Sequence, residues 1–367
     1  MINIFRPYVT REMREAVEEV LHSDFVGQGP KVDQFEKDFA KKFCIFNNVI
    51  SVNSGTAALE TAYDLAGLKE GDEVISTPLT CTATNIPLIR RGVKIVWADI
   101  LEDTLCIDPN DVYKKITERT KAIVQVHLGG IEAKVPQNRF ERTIKIPIIS
   151  DAAQALGIFT GDYTCCSFQA IKHITTGDGG IVIVKGEELA HKAKLLRWFG
   201  IDREKKIANN WQAYKNRAMT FNIELPGTKR HMNDIAAAMG IEALKVYDHI
   251  IEHRKKIFEI YKTNLREVPG LKLIDGPNNT YWLATLLVEN RDGFAQKLYE
   301  ADIDTHVVQI RNDNYSIFGG VNERPNPKNP KLPIMDKVEF KYISIPVGMN
   351  VTEDDAYYIV NVIKRGW

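Results

Sequence analysis

The sequence has no excess of charge of either sign and contains little cysteine. Its 367 residues include 48 Lys and Arg against 48 Asp and Glu, so the formal net charge is zero. Because proteins that bind nucleic acids normally carry a basic excess, this balance argues against a nucleic-acid partner. The five cysteines are odd in number and lack the spacing of a zinc site, so we expect reduced thiols and no metal.

Long apolar runs are also missing. No stretch approaches the ~18 apolar residues of a membrane-spanning helix, and residues 1–10 lack the apolar core of a signal peptide. We therefore expect a cytoplasmic protein that makes no membrane contact. The composition, 44% hydrophobic and 26% charged, is typical of globular proteins, and the length is sufficient for two domains.

The first two thirds of the chain alternate between short strands and helices. Helical spacing of apolar residues predicts a helix at 11–21 and a second one ending at residue 43. Stretches rich in Val and Ile predict strands at 49–53, 73–77, 94–98, 121–126, 146–150 and 181–184. This alternation predicts an α/β fold with a mostly parallel sheet and helices on both faces.

The pattern changes after a long basic helix predicted at 232–266. The remainder indicates a smaller α+β unit, with extended chain at 281–288, a helix at 294–301 and a final helix at 353–364. We therefore predict a large domain at residues 1–245, including an N-terminal arm, and a small C-terminal domain at 246–367.

The first of four short motifs is Ser54-Gly55-Thr56, where a strand runs into a helix. Backbone N–H groups and the helix dipole favour an anion there, Gly55 permits close approach, and the Thr56 hydroxyl adds a donor. An ordinary N-cap with a tight turn would give the same pattern.

The second motif opens with Asp151, directly after an apolar strand. A carboxylate at the carboxyl end of a parallel strand lies in the crevice where α/β sheets bind ligands, and it could hold a proton on a ring nitrogen. The alternative is again an N-cap.

The third motif is centred on Lys172, in a weakly polar segment backed by the glycine turn at 175–180. Partial burial would lower the pKa of this amine and make it nucleophilic, as Schiff-base chemistry requires. The alternative is a surface lysine, and the adjacent His173 is interpreted as structural. The fourth motif, Lys229-Arg230 in a turn before a helix, suits either phosphate or plain solvation.

Taken in order, these motifs resemble those of the DegT/DnrJ/StrS-type sugar aminotransferases. The matching stretches are Ser54 to Leu59, Asp151-Ala152-Ala153-Gln154, Ser167-Phe168 with Lys172, the glycine turn at 175–180, and Met232-Asn233-Asp234-Ile235. Each motif is weak alone, but all of them occur in the family's order and at about its separations. The resemblance covers the first 245 residues and continues more loosely to the end.

The resemblance implies an aspartate-aminotransferase-like enzyme, of fold type I, that uses pyridoxal 5'-phosphate and passes through pyridoxamine 5'-phosphate. Lys172 matches the lysine that binds the cofactor covalently, and Asp151 matches the partner of the pyridine nitrogen. The other cofactor contacts that it implies are Gly55, Thr56 and Ser167 at the phosphate, Gln154 near the ring oxygen, Cys81 at a position that usually holds a stacking aromatic, and Lys229 reaching the phosphate of a neighbouring subunit.

The implied reaction moves an amino group from an amino acid, usually glutamate, to a ketone on a nucleotide-linked deoxysugar, expected to be a 4-keto-6-deoxyhexose. The implied assembly is a homodimer with shared active sites. Two alternatives are another pyridoxal-phosphate enzyme acting on amino acids, for which Arg311 is the candidate carboxylate ligand, and a sensor that keeps the fold without turnover. A structural salt bridge would equally explain Arg311.

Overall fold

A computed structural model describes residues 1–46, 48–135, 146–203, 222–320 and 331–367. Its larger sheet contains seven strands: β1 (Asn48–Val52), β2 (Glu73–Ser76), β3 (Lys94–Trp97), β4 (Thr120–Val126), β5 (Ile148–Asp151), β6 (Tyr163–Ser167) and β7 (Gly180–Val184). Their order is β1-β7-β6-β5-β4-β2-β3. Only β7 runs antiparallel to its neighbours. The expected mostly parallel α/β sheet is confirmed.

Helices cover both faces of this sheet. The described helices are α1 (Arg11–Leu21), α2 (Pro30–Lys42), α3 (Gly55–Leu65), α4 (Thr82–Ile89), α5 (Pro109–Lys115), α6 (Glu187–Leu196), α7 (Asp234–Lys245), α8 (Tyr247–Leu265), α9 (Arg291–Tyr299), α10 (Pro333–Val338) and α11 (Glu353–Lys364). Strand side chains alternate between the faces, so Val182 packs with α3 and α6 while Ile183 packs with α1, α2 and α7.

A smaller sheet follows in the chain, formed by β8 (Leu271–Leu273), β9 (Ala284–Val288) and β10 (Tyr342–Ile345). Both of its strand pairs are antiparallel. Its core is filled by residues of α8, α9 and α11. The N-terminal residue Ile2 donates to Asp302 O at 2.7 Å and so joins this unit. The proposed division into domains at residue 245 stays a prediction.

The helix predicted at 232–266 is wrong as a single element, because α7 ends at Lys245 and α8 begins at Tyr247. Val246 between them has φ −99° and ψ 1°, which turns the chain. Each half buries its apolar residues in a different core: Ala237 packs with α1 and α2, whereas Phe258 packs on the smaller sheet. A single straight helix could not pack against both cores.

Candidate active site

The carboxyl ends of β1, β5 and β6 meet at one edge of the larger sheet. Val52 pairs with Gly180, and Gly180 pairs with Ser167. Asp151, the last residue of β5, pairs with Cys165. Since α/β sheets bind ligands outside the carboxyl ends of their strands, this register brings three of the four motifs to one place.

The start of α3 is a candidate anion cradle, formed by backbone N–H groups. The Ser54 hydroxyl accepts the N–H of Ala57 at 3.0 Å, whereas the N–H groups of Gly55 and Thr56 precede the first possible bonds within the helix. A Cβ on Gly55 would lie 2.7 Å from the Cβ of Ser167, so any other residue would push the helix start away. Ser54 is therefore an N-cap, and the N–H groups of Gly55 and Thr56, which have no acceptor within the helix, would suit a phosphate.

Asp151 is a buried carboxylate with two defined donors. Oδ2 accepts the Thr84 hydroxyl at 2.7 Å, and Oδ1 accepts the Ala153 N–H at 3.0 Å. Burial raises the pKa of Asp151, while these two hydrogen bonds and the charge of Lys172 oppose that rise. A carboxylate so placed can pair with a protonated ring nitrogen, and the N-cap alternative does not apply because the next element after Asp151 is the strand β6 and not a helix.

Thr84 was not identified from the sequence, because a threonine inside a helix carries no signal for this role. Its hydroxyl lies 2.8 Å from that of Thr80, and its carbonyl accepts the Tyr63 hydroxyl at 2.8 Å. All three side chains are buried. Contacts with Thr80 and Tyr63 therefore hold in place the threonine that donates to Asp151.

Lys172 lies half-buried at this edge, which excludes the interpretation of a fully solvated surface lysine. Burial lowers its pKa to about 8, against the opposing effects of Asp151 and Cys81. Its Nζ lies over the ring of Trp282, 4.1 Å from the centroid. An amine with this pKa is neutral in a substantial fraction of molecules near pH 8, as a nucleophile must be.

The remaining predicted site residues are placed as follows. Gln154 is buried, and its Oε1 accepts the N–H of Gly129 at 2.8 Å. Cys81 is exposed directly before α4, and Ser167 ends β6 against Gly55. Lys229 is exposed, and the carbonyl of its neighbour Arg230 accepts the N–H of Asn53 at 2.7 Å, beside the cradle of the same chain.

His173 and Arg311 have structural partners. His173 is buried, its pKa is lowered by burial to about 3, and Nε2 donates to Thr280 O at 2.8 Å. Arg311 forms a bidentate pair with Asp313 at 2.8 and 2.6 Å, and its Nη1 also contacts Asp336 and Glu339. Burial opposes the guanidinium charge, but these carboxylates raise the pKa of Arg311 overall.

Within the described residues, no helix has the length and apolar composition needed to cross a membrane. The same part of the chain contains no group of three His, Cys, Asp or Glu side chains placed to hold a metal ion.

The arrangement of cradle, carboxylate and amine agrees with what comparison with known proteins shows. The model of the DegT/DnrJ/EryC1/StrS aminotransferase family matches residues 7–364. The chain is 31% identical to the spore coat polysaccharide biosynthesis protein SpsC of Bacillus subtilis, over 99% of this chain and 97% of that protein. It is 32% identical to the dTDP-4-dehydro-2,3,6-trideoxy-D-glucose 4-aminotransferase of Saccharopolyspora spinosa, over 83% of each.

Similarity to a solved structure points to the same fold. The crystal structure of AtS13 from Actinomadura melliaura superposes with a TM-score of 0.90 at 33% identity, over 100% of this chain and 99% of that one. The chain therefore belongs to the DegT/DnrJ/EryC1/StrS aminotransferase family. It is a fold type I sugar aminotransferase that depends on pyridoxal phosphate, with pyridoxamine phosphate as its intermediate form.

The described residues fit that cofactor. The helix start at Gly55 offers backbone donors to a phosphate, the buried carboxylate of Asp151 suits a protonated ring nitrogen, and the amine of Lys172 suits an aldehyde. The carboxylate of Asp151 lies near enough to Lys172 to raise the pKa of its amine, against the larger effect of burial, which lowers it.

Proposed function

We propose that this protein transfers an amino group from an amino acid, with glutamate as the expected donor, to a nucleotide-linked 4-keto-6-deoxyhexose. The observation that carries the proposal is the half-buried Lys172, electrostatically coupled to the buried Asp151 beside a helix start that suits phosphate. The relative from Saccharopolyspora spinosa supports the substrate class, since its name describes a nucleotide-linked 4-keto sugar.

In this proposal the residues of the chain have separate roles in proton transfer and in cofactor binding. Pyridoxal phosphate, when bound, supplies an electron sink that stabilises negative charge at the carbon losing a proton. Lys172 takes that proton as a general base and returns it as a general acid, for which a pKa of about 8 is well placed. Asp151 holds the proton on the ring nitrogen. The N–H groups of Gly55 and Thr56 bind the phosphate.

The other predicted contacts keep their proposed roles. Because the Oε1 of Gln154 is engaged by Gly129, its NH₂ group is oriented to donate to a ring oxygen. Cys81 offers a thiol where the family usually stacks an aromatic, so the stacking area is smaller. We propose that Lys229 reaches the phosphate of a partner subunit in a homodimer. Shared active sites and a cytoplasmic location are parts of the same proposal.

The pairing of Arg311 argues against the alternative of an enzyme that acts on amino acids through this residue. A guanidinium held by Asp313, Asp336 and Glu339 is already neutralised and has little capacity left for a substrate carboxylate. The alternative of a sensor without turnover is decided by experiment.

The experiment is an absorbance spectrum of the purified protein with pyridoxal phosphate, before and after adding glutamate. We expect a yellow band from the lysine-bound cofactor, its conversion by glutamate, and its return on adding a nucleotide-linked 4-keto sugar. Lys172→Ala should abolish the yellow band, whereas the control Lys185→Ala, at an exposed lysine, should retain it. A band that ignores every amino donor would favour the sensor, and the absence of any band would refute the enzyme.

A further inference from the structure

The amine of Lys172 lies against the face of a buried tryptophan that none of the sequence motifs includes. The Nζ is 4.1 Å from the centroid of the Trp282 ring, and Trp282 is only 1% exposed. Trp282 belongs to the segment before β9 of the smaller sheet, so it approaches the lysine from a different part of the chain.

The Trp282 ring is held in one orientation. Its indole N–H donates to the carbonyl of Ile171 at 3.0 Å, directly before the lysine it faces. Arg254 donates to the Trp282 carbonyl at 3.1 Å, and the ring of Phe5 packs against the indole at 5.5 Å between centroids. The indole therefore cannot turn away from Lys172 without breaking the bond to Ile171.

Hydrogen bonds also hold the backbone on either side of Trp282 in a defined conformation. Tyr281 adopts φ +58°, a left-handed conformation that is costly for a large side chain. His173 donates to Thr280 O at 2.8 Å, and Leu283 N donates to Gly129 O at 3.0 Å. A costly conformation held by bonds on both sides indicates that the position of this ring is defined by its surroundings.

We propose that Trp282 is a positioning residue that holds the displaced amine of Lys172 in the protonated form that it has between taking a proton from the substrate as a base and returning that proton as an acid. This inference rests on the proposed role of Lys172. The negative face of an indole attracts an ammonium group, and the attraction increases when water is excluded. Trp282 thus favours the charged amine that burial alone would disfavour, and it keeps that amine beside the cofactor for its return.

Other charged or titratable groups also face Lys172. Asp151 and Cys81 favour its charged form, and burial opposes it. His173 is neutral at physiological pH because burial and the charges of Arg254 and Lys172 lower its pKa to about 3. The contribution of Trp282 is therefore isolated by changing the ring alone.

The test is the rate at which the cofactor-free protein forms its lysine-bound absorbance band after pyridoxal phosphate is added, measured from pH 6 to 10. The neutral amine adds to the aldehyde and water leaves, so the midpoint of the rate profile reports the pKa of Lys172. Trp282→Leu should move that midpoint down by roughly half a unit to one unit, which makes the reaction about three- to tenfold faster below it. Trp282→Phe, which keeps a weaker aromatic face, should shift it less.

Trp97→Leu is the matched control, because it removes a buried indole from another core and should leave the midpoint unchanged. An unchanged midpoint in Trp282→Leu, or equal shifts in the Leu and Phe variants, would overturn the role of the ring. If Trp282→Leu does not fold, the smaller shift in Trp282→Phe decides alone. A wild-type protein that forms no band, or a band that survives Lys172→Ala, would refute the proposed function and with it this inference.

Discussion

The hydrogen bond from Thr84 to Asp151 can be removed with little change in shape by Thr84→Val. The two side chains are buried, and the bond measures 2.7 Å. Without it, Asp151 keeps the Ala153 N–H and the charge of Lys172, while burial continues to raise its pKa. We expect the pKa of Asp151 in the variant to rise further, and the pairing with a protonated ring nitrogen to weaken.

The expected cost depends on pH. A hydrogen bond to a charged group contributes about 1.5–3 kcal/mol, and one between neutral groups about 0.5–1.5 kcal/mol. Burial raises the pKa of Asp151 in the folded state, so protonation of this carboxyl stabilises the fold at acid pH. That stabilisation is lost as pH rises through the raised pKa. In Thr84→Val this loss continues to higher pH. The variant should therefore be less stable by about 1 kcal/mol near pH 4 and by about 2 kcal/mol at neutral pH.

Urea unfolding of the cofactor-free protein at a series of pH values measures this difference. Thr84→Ser keeps the hydroxyl and should lose only about 0.8 kcal/mol for the missing methyl group, at every pH. Thr84→Val in an Asp151→Asn background should lose its pH dependence, since no carboxylate remains to titrate. Cofactor affinity should fall in Thr84→Val but not in Thr84→Ser.

A difference between Thr84→Val and the wild type that stays constant from pH 4 to pH 8 would refute the reasoning. It would mean that the Thr84 hydroxyl stabilises the neutral and the ionised carboxyl of Asp151 equally, so that it has no effect on the ionisation of Asp151. Unchanged cofactor affinity in the valine variant would contradict the functional half of the prediction.

Two further outcomes follow from buried contacts. Gly55→Ala should weaken cofactor binding and destabilise the fold by about 1–3 kcal/mol, because the new Cβ would lie 2.7 Å from Ser167 Cβ. Cofactor titration and urea unfolding measure these two effects. A normal cofactor affinity would contradict the role of the α3 start in binding phosphate. Arg311→Met should destabilise the protein by about 3–5 kcal/mol, because it removes the guanidinium that pairs with the buried carboxylate of Asp313. Its KM for glutamate should stay unchanged if the enzyme remains folded, whereas a raised KM without loss of stability would indicate a substrate contact.

Most strands of the larger sheet can be predicted from the sequence because they are rich in Val and Ile. Residues 121–126 and 181–184 are rich in Val and Ile, and the observed β4 and β7 differ from them by one residue at one end. β6 was missed as a strand because Tyr163-Thr164-Cys165-Cys166-Ser167 contains no Val or Ile, although all five residues are buried. Long-range pairing with β5 and β7, not local preference, makes it a strand.

The sequence likewise predicts some residues of the candidate site and misses others. Asp151 and Lys172 could be proposed because a strand end and a glycine turn mark them in the chain. Thr84 and Trp282 could not, since each acquires its role from a contact with a residue 67 or 110 positions away, and neither lies in a motif that suggests such chemistry. Arg311 could be named but not assigned, because its three carboxylate partners become neighbours only through the fold.

Asn312 links the loop after Arg311 to the edge of the larger sheet. Its amide donates to Thr80 O at 2.7 Å and accepts from Asn85 at 3.0 Å, and its N–H donates to Pro78 O at 2.7 Å. These groups bracket Cys81 and Thr84 on the chain. A hybrid enzyme that takes its C-terminal part from a relative must therefore exchange the 78–85 stretch together with the 311–314 loop, or the amide of one parent will face an incompatible partner. Exchange of the C-terminal part alone would remove these bonds and, through Thr84, would disturb the position of Asp151.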